Sequence, residues 1–247
     1  RGLGDVYKRQ GIMARSLHIT DLGHDEAYEI ASCIENKLLE ENISEISTEL
    51  QMKRVAAAFI LFTRFPLWRW VSPSQEAYSD AVVFWPLVGW LTGGVTALCL
   101  LLFSCVMPWL PAVVLSMVLR LLLTGALHED GLADFCDAFG CGGDKARILS
   151  IMKDSHIGTY GVLGLIFYAL MMVSLLASLP PYVAACTVFA ADPFSKFCAG
   201  QLTNFLDYAR PEGAKNRISY SRMDWSRLLV QALFGLLPVS YTHLRAH

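Results

Sequence analysis

The chain has 247 residues, of which 54% are hydrophobic and only 17% charged, and its formal net charge is −2. Soluble domains carry about 25% charged residues, and disordered chains combine low hydrophobicity with high net charge, so both classes are excluded. Seven cysteines, an odd number lying mostly in apolar runs, exclude a disulfide scaffold, and a pI near 6.3 excludes a nucleic-acid binder. What remains, at a mean hydropathy of +0.42, is an all-α, polytopic helical membrane protein.

Charge divides the chain into regions. Residues 1–54 hold ten of the 22 acids and seven of the 20 bases. Within them, residues 21–50 predict an acidic, amphipathic helix. No basic start followed by an apolar core is present there, so this is not a signal peptide. Met52-Lys53-Arg54 opens directly onto an apolar run and looks like a natural start. Residues 1–51 are therefore expected to be an upstream segment, 52–238 the membrane-embedded domain and 239–247 a non-native tail.

Arg54–Phe65 predicts a short inserted helix. Residues 81–119 and 157–191 contain no charged side chain. A crossing helix needs about 20 apolar residues, so each run accommodates most of two passes. Breakers divide them at Met107–Pro111 and at Pro180-Pro181. Spans are predicted at 82–106, 111–128, 157–179 and 182–205, with another from 228, making about five to six membrane helices. The connections at 107–110 and 180–181 lack Lys and Arg. The loop at 129–156 carries Lys145, Arg147 and Lys153, and the loop at 206–227 carries Arg210, Lys215, Arg217, Arg222 and Arg227. All the basic loops then fall on one side, which the positive-inside rule makes cytoplasmic.

The densest polar cluster follows the second predicted span, at His128-Glu129-Asp130-Gly131-Leu132-Ala133-Asp134-Phe135-Cys136-Asp137. On a helix, Asp130, Asp134 and Asp137 project within about 60° of one another. Three like charges on one stripe need a cation. Hard divalent ions such as Mg²⁺ take carboxylates and share their sphere with substrate phosphates. Solvated acids at a helix start are the structural alternative. Glu129 points off the stripe and is a weaker metal candidate. His128 is a candidate ligand or proton carrier, and equally a structural histidine.

A second cluster, Ile151-Met152-Lys153-Asp154-Ser155-His156-Ile157-Gly158-Thr159-Tyr160-Gly161, precedes the third span. Lys153 suits a phosphate, and Asp154 a metal or a nucleophile's proton. Gly158 and Gly161 let backbone approach a ligand. Tyr160 offers a hydroxyl. Three charges lie inside predicted spans: Arg120, and Asp192 with Lys196 at i, i+4. Such residues mark a site or pair with each other. Lys196 either neutralises Asp192 or reaches a substrate phosphate.

The motifs from Thr124 to Asp134 and from Ile151 to Gly161 together resemble the cobalamin synthase family, the adenosylcobinamide-GDP ribazoletransferases. Met52-Lys53-Arg54, Phe62-Thr63-Arg64-Phe65-Pro66 and Trp85-Pro86-Leu87-Val88-Gly89 are similar to that family in the same order. Two positions depart from it: Glu129 stands where an apolar residue is usual, and Lys196 where many members carry Arg. The resemblance implies a bacterial cytoplasmic (inner) membrane enzyme, multi-pass, with its acidic and basic loops on the cytoplasmic side. It implies transfer of adenosylcobinamide phosphate from adenosylcobinamide-GDP to α-ribazole or its 5′-phosphate, with release of GMP and with Mg²⁺ as cofactor. Under it, Asp130, Asp134 and Asp137, with Glu129, are the expected metal ligands, and Asp154, His128 and Lys153 the expected catalytic groups. Arg64, Gly131, His156, Gly158, Tyr160, Lys196 and Arg210 are the expected substrate contacts. A homo-oligomer is left open. Two rivals stand beside this reading: a CDP-alcohol phosphotransferase of phospholipid synthesis, and a small membrane transporter.

Overall fold

The computed structural model describes residues 32, 48–209 and 222–245. The chain divides into two compact units, Arg1–Met52 and Lys53–His247. Every element named below lies in the second. The acidic helix expected over 21–50 and the basic residues Arg210, Lys215 and Arg217 lie outside the described residues, apart from positions 32 and 48–50.

Helix α1 is the part of a continuous helix that lies in this unit, 53–62, and is followed by a 3₁₀ turn at Leu67–Arg69. Helix α2 is Gln75–Ser79, α3 Trp85–Ser104, α4 Trp109–Thr124, α5 Leu127–Cys141 and α6 Lys145–Ile151. Helix α7 is Thr159–Ala177, α8 Pro181–Phe205 and α9 Trp225–Arg245. No strand occurs among the described residues, so the all-α expectation holds.

Proline and glycine punctuate the bundle where the sequence places them. Pro108 caps α4, and Pro180 caps α8 with Pro181 in its first turn. Both sites use the fixed proline φ where an amide proton is dispensable. The predicted span at 111–128 ends early. Gly125 at φ 68° and Ala126 at φ 57° are both left-handed, and they separate α4 from α5 by a bend of 91°.

The span count differs from the expected five to six. Among the described residues, only α3 and α7 are individually long and apolar enough to cross a membrane, with a third crossing if bent α4 and α5 count as one. Helix α8 has 25 residues, but Asp192, Lys196, Gln201 and Asn204 lower its hydropathy. Helix α4 stops at 16 residues because Gly125 ends it.

Helix α3 packs most extensively against α8, and α4 packs against both α3 and α7. Gly89 and Gly93 make the α3–α8 approach close. A Cβ on Gly89 would lie 2.6 Å from Pro193 Cα, and one on Gly93 would lie 3.0 Å from Asp192 Cβ. Small residues serve helix pairs in lipid this way, because packing rather than water exclusion drives association there. Leu100, Val113, Met117, Leu176, Ala184 and Ala185 form the core where α3, α4, α7 and α8 meet.

Side-chain amides tie α9 to the bundle. Gln231, fully buried, donates to Val82 O at 2.8 Å and accepts from Gln201 at 2.6 Å. The Trp90 indole donates to Phe234 O at 2.8 Å. Buried Asp80 meets Arg54 and Arg227, each at 3.1 Å, and so links α1, the end of α2 and α9.

Candidate active site: an acidic surface helix above a buried ion network

The elbow between α4 and α5 presents the acidic cluster. Two consecutive left-handed residues turn the chain through a right angle. At Ala126 this conformation costs on the order of 1 kcal/mol, since its Cβ crowds the backbone. Gly125 avoids that clash and a second one, because a Cβ there would lie 2.6 Å from Arg64 Nε. The Arg64 N–H donates to Leu123 O at 2.8 Å. The exposed Arg64 side chain thus lies over the elbow that launches α5.

Along α5 the three aspartates share a face, as their spacing predicts, but their settings differ. Asp130 is exposed, Asp134 half-buried and Asp137 buried. The Asp137 carboxylate accepts from the Gly158 N–H at 2.7 Å and from the Gly161 N–H at 2.8 Å. Those donors belong to the first turn of α7, whose N-cap Gly158 has no side chain to satisfy them. Asp137 therefore caps α7 from a neighbouring helix. A Cβ at Gly158 or Gly161 would strike its carboxylate. The backbone approach expected at these glycines occurs, and the group that approaches is Asp137. Gly131 is exposed, with open space around its Cα.

Glu129 turns inward and is 7% exposed. Its Oε1 accepts from Arg120 at 3.3 Å and from the Tyr168 hydroxyl at 3.5 Å. Arg120 also reaches Asp192 Oδ1 at 3.3 Å. Asp192 pairs with Lys196 on its own helix, and Thr92 donates to its Oδ2 at 2.6 Å. Two bases and two acids thus neutralise one another across α4, α5 and α8, with hydroxyls from α3 and α7. Burying such charges is tolerable only when they are paired and hydrogen-bonded. Glu129 Oε2 is buried without a hydrogen-bond partner.

Lys196 is 4% exposed and engaged with Asp192. The structure thus favours mutual neutralisation over an open phosphate clamp. Glu129, expected among the metal ligands, faces Arg120 because it lies about 100° round the helix from Asp130. Sequence reasoning missed the Arg120–Glu129 pair. Its signal was present: each is an ionisable residue beside an apolar run, nine positions apart across a glycine. A cavity of about 370 Å³ opens beside this network, lined by Met117, Arg120, Tyr168, Met172, Leu176 and Asp192 among others. No aspartate of the stripe lines it.

His128 is half-buried against Phe62 and Trp85, with ring centroids 6.4 Å and 5.8 Å away. Its Nε2 is buried with no hydrogen-bond partner. Lys153, Asp154, His156 and Tyr160 are all exposed. The His156 N–H donates to Asp154 Oδ1 at 3.0 Å, and His156 Nδ1 lies 2.6 Å from the same oxygen. That contact raises the His156 pKa above its ordinary value and lowers that of Asp154. The Tyr160 ring packs over Gly140, leaving no room for a Cβ there.

Among the described residues, no three His, Cys, Asp or Glu side chains converge closely enough to hold a metal ion unaided. The donor set on the stripe still suits Mg²⁺. That ion is usually held by one or two carboxylates, completed by water and substrate phosphates. Asp130 supplies an exposed carboxylate on that face and Asp134 a half-buried one. Asp137 keeps lone pairs beyond the two it uses on α7.

An acidic helix that leaves α4 at 91° and packs against the apolar α7 marks a helical membrane protein. The comparisons identify which one. The chain matches the family described as cobalamin-5-phosphate synthase over residues 54–246. It is 33% identical over 195 residues to an adenosylcobinamide-GDP ribazoletransferase of Leptospira interrogans, covering 77% of this chain and 74% of that protein. It is 37% identical to the protein of the same description from Ralstonia pickettii, covering 72% and 70% of the two chains. For the one from Ralstonia nicotianae the identity is 40%, again covering 72% and 70%. No solved structure matches. The chain belongs to the cobalamin-5-phosphate synthase family and is a transferase of cobalamin synthesis.

Proposed function

We propose that the protein transfers the adenosylcobinamide-phosphate group of adenosylcobinamide-GDP to α-ribazole or its 5′-phosphate and releases GMP, at the cytoplasmic face of the bacterial inner membrane. The substrates follow from the description its relatives carry. The observation that carries the site is the aspartate stripe on α5, which leaves α4 at 91° and packs against α7.

The reaction is displacement at a pyrophosphate. A ribose hydroxyl attacks the phosphorus next to the cobinamide arm, its proton leaves, and the bond to GMP breaks. Such transfers depend on positioning and charge neutralisation more than on covalent chemistry. Asp130 and Asp134, with Asp137 as a third candidate, would hold Mg²⁺, which when bound neutralises the pyrophosphate and polarises its phosphorus. Arg64, over the elbow, and Lys153, in the 152–158 loop, add cations that hold phosphate oxygens. Asp154 and His156 form an exposed acid–base pair beside Lys153, suited to receiving the hydroxyl proton. Asp137 secures the glycine turn that leads from this loop into α7.

The test is GMP release by the purified protein in detergent, given adenosylcobinamide-GDP and α-ribazole 5′-phosphate, with and without Mg²⁺. The expected result is GMP and a cobalamin product only when Mg²⁺ is present. Cobalamin product at an equal rate in excess chelator would overturn the metal assignment. Absence of GMP, together with CMP release from a CDP-alcohol, would overturn the substrate assignment.

A further inference from the structure

Helices α7 and α8 follow one another directly through Pro180-Pro181, yet they do not pack extensively on each other. Helix α7 lies against α5 and α4, whereas α8 lies against α3 and α9. The wedge between them is the cavity of about 370 Å³ beside the ion network. Met172, Leu175 and Leu179 line it from the α7 side, Val188 and Ala191 from α8, and Met117 from α4. Its volume falls within the range of small-molecule sites, about 300–1,000 Å³. The transfer chemistry proposed above uses none of its lining residues.

Two observations identify the occupant. First, each polar side chain on the lining already has a partner inside the protein. Thr187 donates to Val183 O and Ser195 to Asp192 O, each at 2.8 Å. Tyr168 donates to Glu129, Arg120 donates to Glu129 and Asp192, and Asp192 also accepts from Thr92. A buried water needs roughly two to four polar partners, whereas an apolar cavity stays dry and takes hydrocarbon. Second, the cavity lies where hydrocarbon is at hand. Tyr168, Met172 and Leu175 run from the middle of α7 toward its C-terminal end, and α7 is long and apolar enough to cross a membrane. Leu175 is 56% exposed, and Thr187, Ala191 and Ser195 on α8 are exposed too. The cavity therefore opens sideways between α7 and α8, at the depth of acyl chains. A void there would forfeit the packing contacts on which helices in lipid rely.

We propose that the cavity is a phospholipid site, in which one acyl chain enters between α7 and α8 and fills the wedge. The occupant is the hydrocarbon of a bilayer lipid. The assignment rests on no assumption about the reaction catalysed.

Native mass spectrometry tests it. The full chain is reconstituted in phosphatidylcholine–phosphatidylglycerol vesicles, extracted again in detergent and washed free of loose lipid, and the retained phospholipid is weighed with the protein. The parent protein is expected to keep about one phospholipid per chain, the occupancy that one cavity of this size allows. Ala191→Phe puts a phenyl ring into the cavity and is expected to retain roughly tenfold less, since the ring takes the space of several buried methylenes. Leu170→Phe, at a 58% exposed position of α7 outside the cavity, is expected to retain as much as the parent. Thr187→Leu fills the same space more gently should Ala191→Phe fail to fold, and its retention is expected to fall as well. A parent protein that keeps no phospholipid would overturn the proposal. Undiminished retention in the folded cavity variant would do the same, as would an equal loss in Leu170→Phe. A lipid-free dimer that Ala191→Phe splits would also overturn it and assign the cavity to a second copy of the chain.

Discussion

Glu129 and Asp130 are neighbours in the chain and opposites in setting. Glu129 is buried, paired with Arg120 and tied through it to Asp192 and Lys196. Asp130 is exposed on the outer face of the same helix. One step of about 100° on α5 separates a charge that is neutralised internally from one open to a cation. The contrast shows why acidity alone does not define a site. A carboxylate inside the bundle needs a protein cation or backbone N–H donors to be tolerated, and those partners then occupy it. A carboxylate outside keeps its lone pairs for a ligand. On this account the buried tetrad fixes the angle of α5, and the stripe carries the chemistry.

The contrast breaks most severely at Arg120. Arg120→Ala leaves Glu129 and Asp192 short of a cation inside the bundle, and one broken buried pair costs about 3–5 kcal/mol. The unfolding midpoint in detergent is expected to collapse, whereas Asp130→Asn leaves it within error of the parent. Gly161→Ala probes the seam between the two regions. Its new Cβ meets the Asp137 carboxylate and lies 3.0 Å from Ala133 O. Overpacking of this kind costs about 1–3 kcal/mol, and the same unfolding measurement reads it.

Asp137 sharpens the comparison because it belongs to both regions, buried like Glu129 and in register with Asp130. Asp137→Ala removes the cap on α7 and is expected to cost about 1 kcal/mol of stability. Hydrogen exchange should rise at the Gly158 and Gly161 amides and stay unchanged at the far end of α7.

The smallest effect concerns the Asp154–His156 pair. Its partner raises the His156 pKa and lowers that of Asp154. The charged pair therefore persists above the lowered Asp154 value. It is lost as pH rises through the raised His156 value, or as pH falls through the Asp154 value. An NMR titration should place the His156 pKa above about 6.5, and Asp154→Asn should return it toward that value.

Much of this arrangement is legible in the sequence. Uncharged runs and the breakers Pro108, Pro180 and Pro181 locate α3, α4, α7 and α8 within a few residues, because lipid tolerates few other patterns. The i, i+4, i+7 spacing puts the aspartates on one face. The turn at Gly125-Ala126 is the main feature that escapes, since an alanine with positive φ carries no residue-type signal. Missing the elbow also hides the Arg120–Glu129 pair, which forms only once the chain bends. The capping role of Asp137 escapes for a different reason. It joins groups 21 and 24 residues apart, and the glycines that permit it read equally well as a ligand cradle. Lys196 was legible as an ion-pair partner, but whether the pair faces a phosphate or a neighbouring helix depends on Arg120, a contact that spacing does not reveal.

The central claim is that Asp130, and not its neighbour Glu129, works on the substrate. Its most direct test compares Mg²⁺-dependent GMP release by Asp130→Asn and Glu129→Gln, each measured on protein shown to be folded. The account predicts that Asp130→Asn loses turnover by roughly 100-fold or more, the scale on which one electrostatic stabiliser acts, while Glu129→Gln stays close to the parent. Near-parental turnover in Asp130→Asn with collapse in folded Glu129→Gln would contradict it and move the chemistry to the buried network.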